Sequence, residues 1–268
     1  MSSNNPSDSL FNWPNYSPSK SAAFGVAAVY FALGIVLTVE SVRAKNFWPS
    51  RLAVLVGLML GGAFVARGVF AAKGGNNSDS FIAFSVLDSV APNFINLVNY
   101  ILLIILLRSA TYPPSKRLIM SIRVLAIVLA VAFGAISAAG AAMLSSDSPS
   151  QLSTALKLVK ASAAGQLANS LLFMIIANVL LHRYWEAPRG GRSVAIILIG
   201  GILIIARNAV RIVSAFYPKV ALLRDSEAAW YCLDPLFTLI IVFTWAVLDL
   251  PKRCRMERPI DPQDYYGK

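Results

Sequence analysis

The sequence predicts an all-α polytopic membrane protein, a bundle of seven transmembrane helices, and three observations predict it. Of the 268 residues 57% are hydrophobic and only 14% charged, whereas soluble domains run near a quarter charged. Mean hydropathy is +0.63. The apolar residues gather into seven stretches of membrane-crossing length, separated by short polar connections rich in Arg and Lys. A soluble enzyme, a disordered tail and a disulfide scaffold do not fit this composition.

About 20 consecutive apolar residues carry a helix across the hydrocarbon core. The seven stretches cover 22–42, 52–72, 81–107, 118–144, 154–181, 193–216 and 228–250. None alternates with the period of a barrel strand, and most are too long for one. Helices remain, because lipid cannot satisfy an exposed backbone N–H or C=O. The third to fifth exceed the required length, so each tilts or begins outside the hydrocarbon. The chain therefore divides into a polar tail over 1–21, a seven-helix domain over 22–250 and a short tail over 251–268.

Basic residues set the expected orientation. The net charge is +11, which in a polar protein would suggest nucleic acid. Here fourteen of the basic residues follow spans one, three, five and seven, among them Arg43, Arg51, Arg108, Lys116, Arg183, Arg192 and Arg253. Only Lys20, Lys73, Lys219 and Arg224 lie on the opposite side. The positive-inside rule then puts the N-terminus outside and the C-terminus in the cytoplasm. No nucleic-acid partner is expected. Sequons at Asn15 and Asn76, candidate glycosylation sites, both fall on the predicted external side. The polar first twenty residues lack a basic n-region, so the first span is expected to act as a signal-anchor.

Aromatic residues near the span ends, Trp13, Trp48, Tyr112, Tyr184, Trp185, Tyr217 and Trp230, read as an interfacial belt. Cys232 in the seventh span and Cys254 in the tail stand at different levels and are not expected to pair. Cys254, flanked by basic residues, is a candidate palmitoylation site. Small residues at four-residue spacing mark helix contacts: Gly57 and Gly61, then Gly134, Ala138 and Ala142, then Ala161, Gly165 and Asn169, with Gly200-Gly201 in span six. Pro92 and Pro235 each sit inside a span, where proline kinks a helix and frees a carbonyl.

Five charges lie inside spans, where such groups face the bundle interior and pair. Arg67, Asp88, Arg207, Arg211 and Asp234 all fall about 8–14 Å below the predicted external boundary at 1.5 Å per residue. Arg207 and Arg211 are one turn apart and share a face. The expected pairs are Arg211 with Asp234 and Arg67 with Asp88, leaving Arg207 for an anionic group or a carbonyl. Asn93, Asn96, Asn99 and Asn208 extend the polar layer. These pairs serve either to pin helices together or to hold a ligand.

Enzyme signatures are missing from the sequence. The one histidine, His182, ends span five, and no H-E-x-x-H, Walker loop or G-x-S-x-G occurs. No catalytic residues, metal site or cofactor is expected.

Several segments resemble the fungal lipid-translocating exporter family, seven-helix membrane proteins associated with aminocholesterol resistance and sphingoid long-chain-base export. They are Tyr16-Ser17-Pro18-Ser19-Lys20-Ser21-Ala22-Ala23, Ala91-Pro92 followed by Asn99-Tyr100, and Arg207-Asn208-Ala209-Val210-Arg211. The fourth, Glu227-Ala228-Ala229-Trp230-Tyr231-Cys232-Leu233-Asp234, is similar to the family's Glu-x-x-x-Tyr-x-x-Asp signature. The resemblance adds Glu227 and Tyr231 to the candidate ligand-binding cluster. Two family glutamates are absent: in span two the matching stretch begins Leu60-Gly61-Gly62, and after Arg211 the matching position is Ser214. A more positive site follows, better suited to an anionic or zwitterionic headgroup than to an amine.

The resemblance implies a non-enzymatic transporter of lipids or amphiphilic small molecules, or a lipid-resistance protein, in the plasma membrane or an endomembrane. The other reading is a seven-helix receptor or sensor whose basic loops contact a cytoplasmic protein partner. No Asp-Arg-Tyr stands at the end of span three, where Leu107-Arg108-Ser109 is found, and no external cysteine pair clamps the loops. A membrane scaffold is the third alternative. Oligomeric state is not legible.

Overall fold

The computed structural model describes residues 18–44, 48–74, 77–108, 114–144, 148–184, 191–217 and 226–248. Asn15, Asn76 and Cys254 lie outside the described residues. Six long helices come first: α1 (Lys20–Arg43), α2 (Trp48–Ala72), α3 (Ser78–Arg108), α4 (Lys116–Met143), α5 (Pro149–Tyr184) and α6 (Gly191–Phe216). The seventh crossing is made of two segments, α7 (Glu227–Leu233) and α8 (Pro235–Val247). All seven crossings are long and apolar enough to span a bilayer.

Helix starts follow local polar chemistry. Ser19 accepts from the Ala22 N–H, Ser115 from that of Leu118 and Ser226 from that of Ala229, at 3.2–3.3 Å. Asn77 accepts from the Ser80 N–H at the start of α3. Each satisfies one of the donors that a first turn leaves open.

The two internal prolines act differently. Pro92 stays within a continuous α3. Pro235 ends one helix and opens another. Asp234 between them has φ −124° and ψ −70°, outside helical geometry. The kink expected at Pro235 is a full break, and the cause is a ring that cannot donate to the carbonyl four residues back.

Consecutive helices pack side by side from α1 to α6, and α8 closes the bundle against α6 and α1. α3 touches α2, α4, α5 and α6 and is the most enclosed span, whereas α4 is the most outward-facing. Small residues set the closest approach. A Cβ on Gly57 would stand 3.4 Å from Gly34 Cα, so α1 and α2 meet backbone to backbone there. Gly165 lies beneath the Phe133 ring on the same principle. The outward faces carry Ile35, Val131, Ile175 and Phe243, an apolar exterior matched to acyl chains.

Candidate functional site

The polar layer begins with α6. Arg207 and Arg211 are four residues apart, so both guanidinium groups leave the same face. That face meets Asp88 of α3 and Asp234 at the α7–α8 break. Arg207 Nε lies 2.6 Å from Asp234 Oδ1, and Arg207 Nη2 lies 3.3 Å from Asp88 Oδ1. Arg211 Nη2 lies 2.6 Å from Asp234 Oδ2 and also contacts Asp88 Oδ2. Each carboxylate thus gives one oxygen to each arginine, and the four ions form a closed ring. Asp88, Asp234 and Arg207 are 1–4% exposed, while the Arg211 side chain keeps 28%.

The prolines place both aspartates. Pro92 has no N–H to give the Asp88 carbonyl four residues earlier, and Arg207 Nη2 donates to that carbonyl at 3.1 Å. Asp234 occupies the N-cap position of α8 but makes no capping bond, because its carboxylate faces the arginines. At that position its negative charge is also favoured by the α8 dipole. The Tyr30 hydroxyl of α1 sits within hydrogen-bond reach of the Pro235 carbonyl (3.0 Å) and Thr238 Oγ1 (2.8 Å), bracing the break.

Beside the ring is a second group. The Arg67 guanidinium lies 4.0 Å from the Trp230 ring centre, 5.2 Å from Phe84 and 5.6 Å from Tyr231. Its Nη2 is 3.8 Å from Glu227 Oε1. Glu227 in turn accepts the Ser19 N–H on both carboxylate oxygens, at 2.8 and 3.0 Å. Phe64 stacks on Tyr30 and Tyr231, linking the two groups.

Two expectations change. Arg211 meets Asp234 as expected, and Arg207 does donate to a backbone carbonyl, that of Asp88, but both aspartates hold it as well. Arg67 is matched with Glu227, while Asp88 is taken up by the α6 pair. With Glu227 counted, the described residues of the layer comprise three cations, Arg67, Arg207 and Arg211, and three anions, Asp88, Asp234 and Glu227. Trp230, half-buried near the start of the seventh crossing, lays its ring on Arg67. Leu60, standing where the family has a glutamate, is fully buried in the apolar core. Ser214 bonds back to the Val210 carbonyl at 3.0 Å.

A further polar network joins α3, α4, α5 and α6. Gln166 Nε2 donates toward Ser89 O (3.0 Å), Ser137 Oγ (2.9 Å) and Ser162 Oγ (3.2 Å). Asn96 and Asn208 both donate to Ser170 Oγ, at 3.0 and 2.8 Å. Asn93 donates weakly to Ser89 O at 3.4 Å, and Tyr100 donates to Asn169 at 3.3 Å. The α5 members were not singled out from sequence as polar partners. Their spacing, Ser162, Gln166, Asn169 and Ser170, is a helical stripe that marks one polar face. Among the described residues no three metal-ligating side chains come together.

The fold and this layer define a multi-pass, seven-helix membrane protein whose ionisable residues converge at one end of the bundle interior. Residues 53–255 match the family described as RTA1 like protein. The chain belongs to that family, the lipid-translocating exporter family. Neither a curated protein nor a solved structure matches it.

Proposed function

We propose that the protein moves lipids or related amphiphiles between leaflets, receiving the headgroup at the ion ring while the acyl chain stays among the outward apolar faces. The observation that carries this reading is the closed, charge-balanced ring of Asp88, Asp234, Arg207 and Arg211. A structural pin needs only one pair; a ring in which every ion has two partners can release one contact and keep the other. Arg211, the most exposed of the four, is the first to exchange. A zwitterionic headgroup replaces like with like there, its anion against Arg211 and its cation against an aspartate. A lone amine or a lone phosphate would leave a buried ion without a partner, which is the expensive state.

The basic connections support an external N-terminus and, with it, a ring in the outer half of the bilayer. Family membership favours lipid as the cargo class. The experiment is leaflet exchange in reconstituted vesicles with fluorescent phosphatidylcholine, lysolipid and long-chain base. Protein-dependent exchange, fastest for the zwitterion and reduced by Arg211→Ala, is expected. No acceleration for any of the three defeats the reading; ligand-dependent association with a cytoplasmic protein would instead favour a receptor.

A further inference from the structure

The inner face of α3 continues beyond the ion ring. Asp88, Asn96, Asn99 and Leu103 are spaced by eight, three and four residues, so they fall within about 80° of one another around the helix. Asn99 lies about 16 Å further along the axis than Asp88. Asn93, Asn96, Asn99 and Asn208 are 0–1% exposed. Opposite Asn99 stands Gly200 of α6, where a Cβ would come 3.2 Å from the Asn99 oxygen.

Several polar atoms on this path have no hydrogen-bond partner among the described residues. They are Oδ1 of Asn93, Asn96, Asn99 and Asn208, together with Nδ2 of Asn99, Nη1 of Arg207 and Nε of Arg211. Buried amides are ordinarily satisfied, by protein or by ordered water. The amide orientations of Asn96 and Asn208 are fixed by Ser170, which accepts from both, so their oxygens cannot simply be exchanged for nitrogens. The unfilled set mixes acceptors with donors. A metal cation would use only the first and an anion only the second. Water uses both.

We propose that the seam between α3, α5 and α6, from Arg207 to Asn99, is an aqueous half-channel: a file of water molecules continuous with the ion ring. It is closed beyond Asn99 by Leu102, Leu103 and Leu107, all 0–2% exposed. The seam gives small polar species a route past the level of the ring from the end that carries the α2–α3 connection. Its hydration does not require that lipid moves.

Silver ion tests this, being small, excluded from lipid and reactive with thiols. Cys232 and Cys254 are first replaced by Ser, and Asn96→Cys, Asn99→Cys and Leu103→Cys are made singly in the full chain, reconstituted in vesicles. Silver added on the α2–α3 side is expected to block maleimide labelling, carried out after denaturation, of Asn96→Cys and Asn99→Cys and to leave Leu103→Cys open to labelling. Failure to block either asparagine position, or blocking only from the opposite side, overturns the half-channel; blocking at Leu103→Cys overturns its closure. A second variant covers misfolding: Asn99→Leu lowers the thermal midpoint if it displaces bound water. A raised midpoint means that the orphaned amide was dry, and it also overturns the proposal. Lipid exchange measured in the same vesicles separates failure of the transport reading from failure of this one.

Discussion

Arg207 meets Asp88 twice, through the main-chain carbonyl at 3.1 Å and through the carboxylate at 3.3 Å. The first contact exists because Pro92, four residues on, leaves that carbonyl without its helical donor. A backbone defect in α3 is thereby converted into a docking point for a side chain of α6.

Pro92→Ala restores an N–H at residue 92 and sets it in competition with Arg207. Removing an interior proline relieves a helix penalty of about 3 kcal/mol. The thermal midpoint in detergent is therefore expected to hold or rise while leaflet exchange falls. A variant that melts lower yet transports normally contradicts this account of the Asp88 carbonyl.

Removing one member of the ring should hurt more than removing two. Arg207→Met leaves both aspartates on Arg211, and a loss of about 3–5 kcal/mol in unfolding free energy is expected. Arg207→Met combined with Asp234→Leu should recover much of it. Arg211→Met should cost less than Arg207→Met, because Arg211 is the more exposed. Equilibrium unfolding in mixed micelles supplies the comparison, and strictly additive losses would show that the four ions do not act together.

Trp230 holds Arg67 by its ring face. Trp230→Leu should lower stability by about 2 kcal/mol beyond the lost packing, and Trp230→Phe by less. Equal losses for the two would mean that packing alone is at stake.

Gly57 sets the α1–α2 separation. Gly57→Leu is expected to destabilise by about 1–3 kcal/mol through overpacking, and Gly57→Ala only slightly, since its Cβ would stand 3.4 Å from Gly34 Cα. Melting curves of the two variants decide this; equal midpoints would remove the backbone contact from the account.

Topology has its own test. A sequon inserted in the 218–225 connection should be glycosylated in cells, and one inserted in the 45–47 connection should not. The reverse pattern would place the ion ring in the inner half of the membrane.

The seven crossings were legible in the sequence because hydrocarbon thickness leaves few other solutions for runs of this length. The shared level of Arg67, Asp88, Arg207, Arg211 and Asp234 was legible too, since depth follows from counting residues. Partner choice was legible for Arg211 with Asp234 and not for Arg67 or Arg207. It depends on how each helix is rotated about its axis, and charge spacing does not fix that rotation. Glu227 shows the difference: the resemblance put it in the cluster, but its partners, Arg67 and the Ser19 N–H, come only from the structure. The α5 stripe was missed because Ser162, Gln166 and Ser170 carry no charge to draw notice.

The Ser19 N–H and the Glu227 carboxylate that accepts it are separated by 208 positions in the chain. α1 therefore gains the acceptor for its N-cap N–H only once residue 227 has been made. Until then Arg67 also lacks its glutamate. Assembly at this end of the molecule is therefore completed late, because α1 and α2 both wait for the segment that opens the seventh crossing.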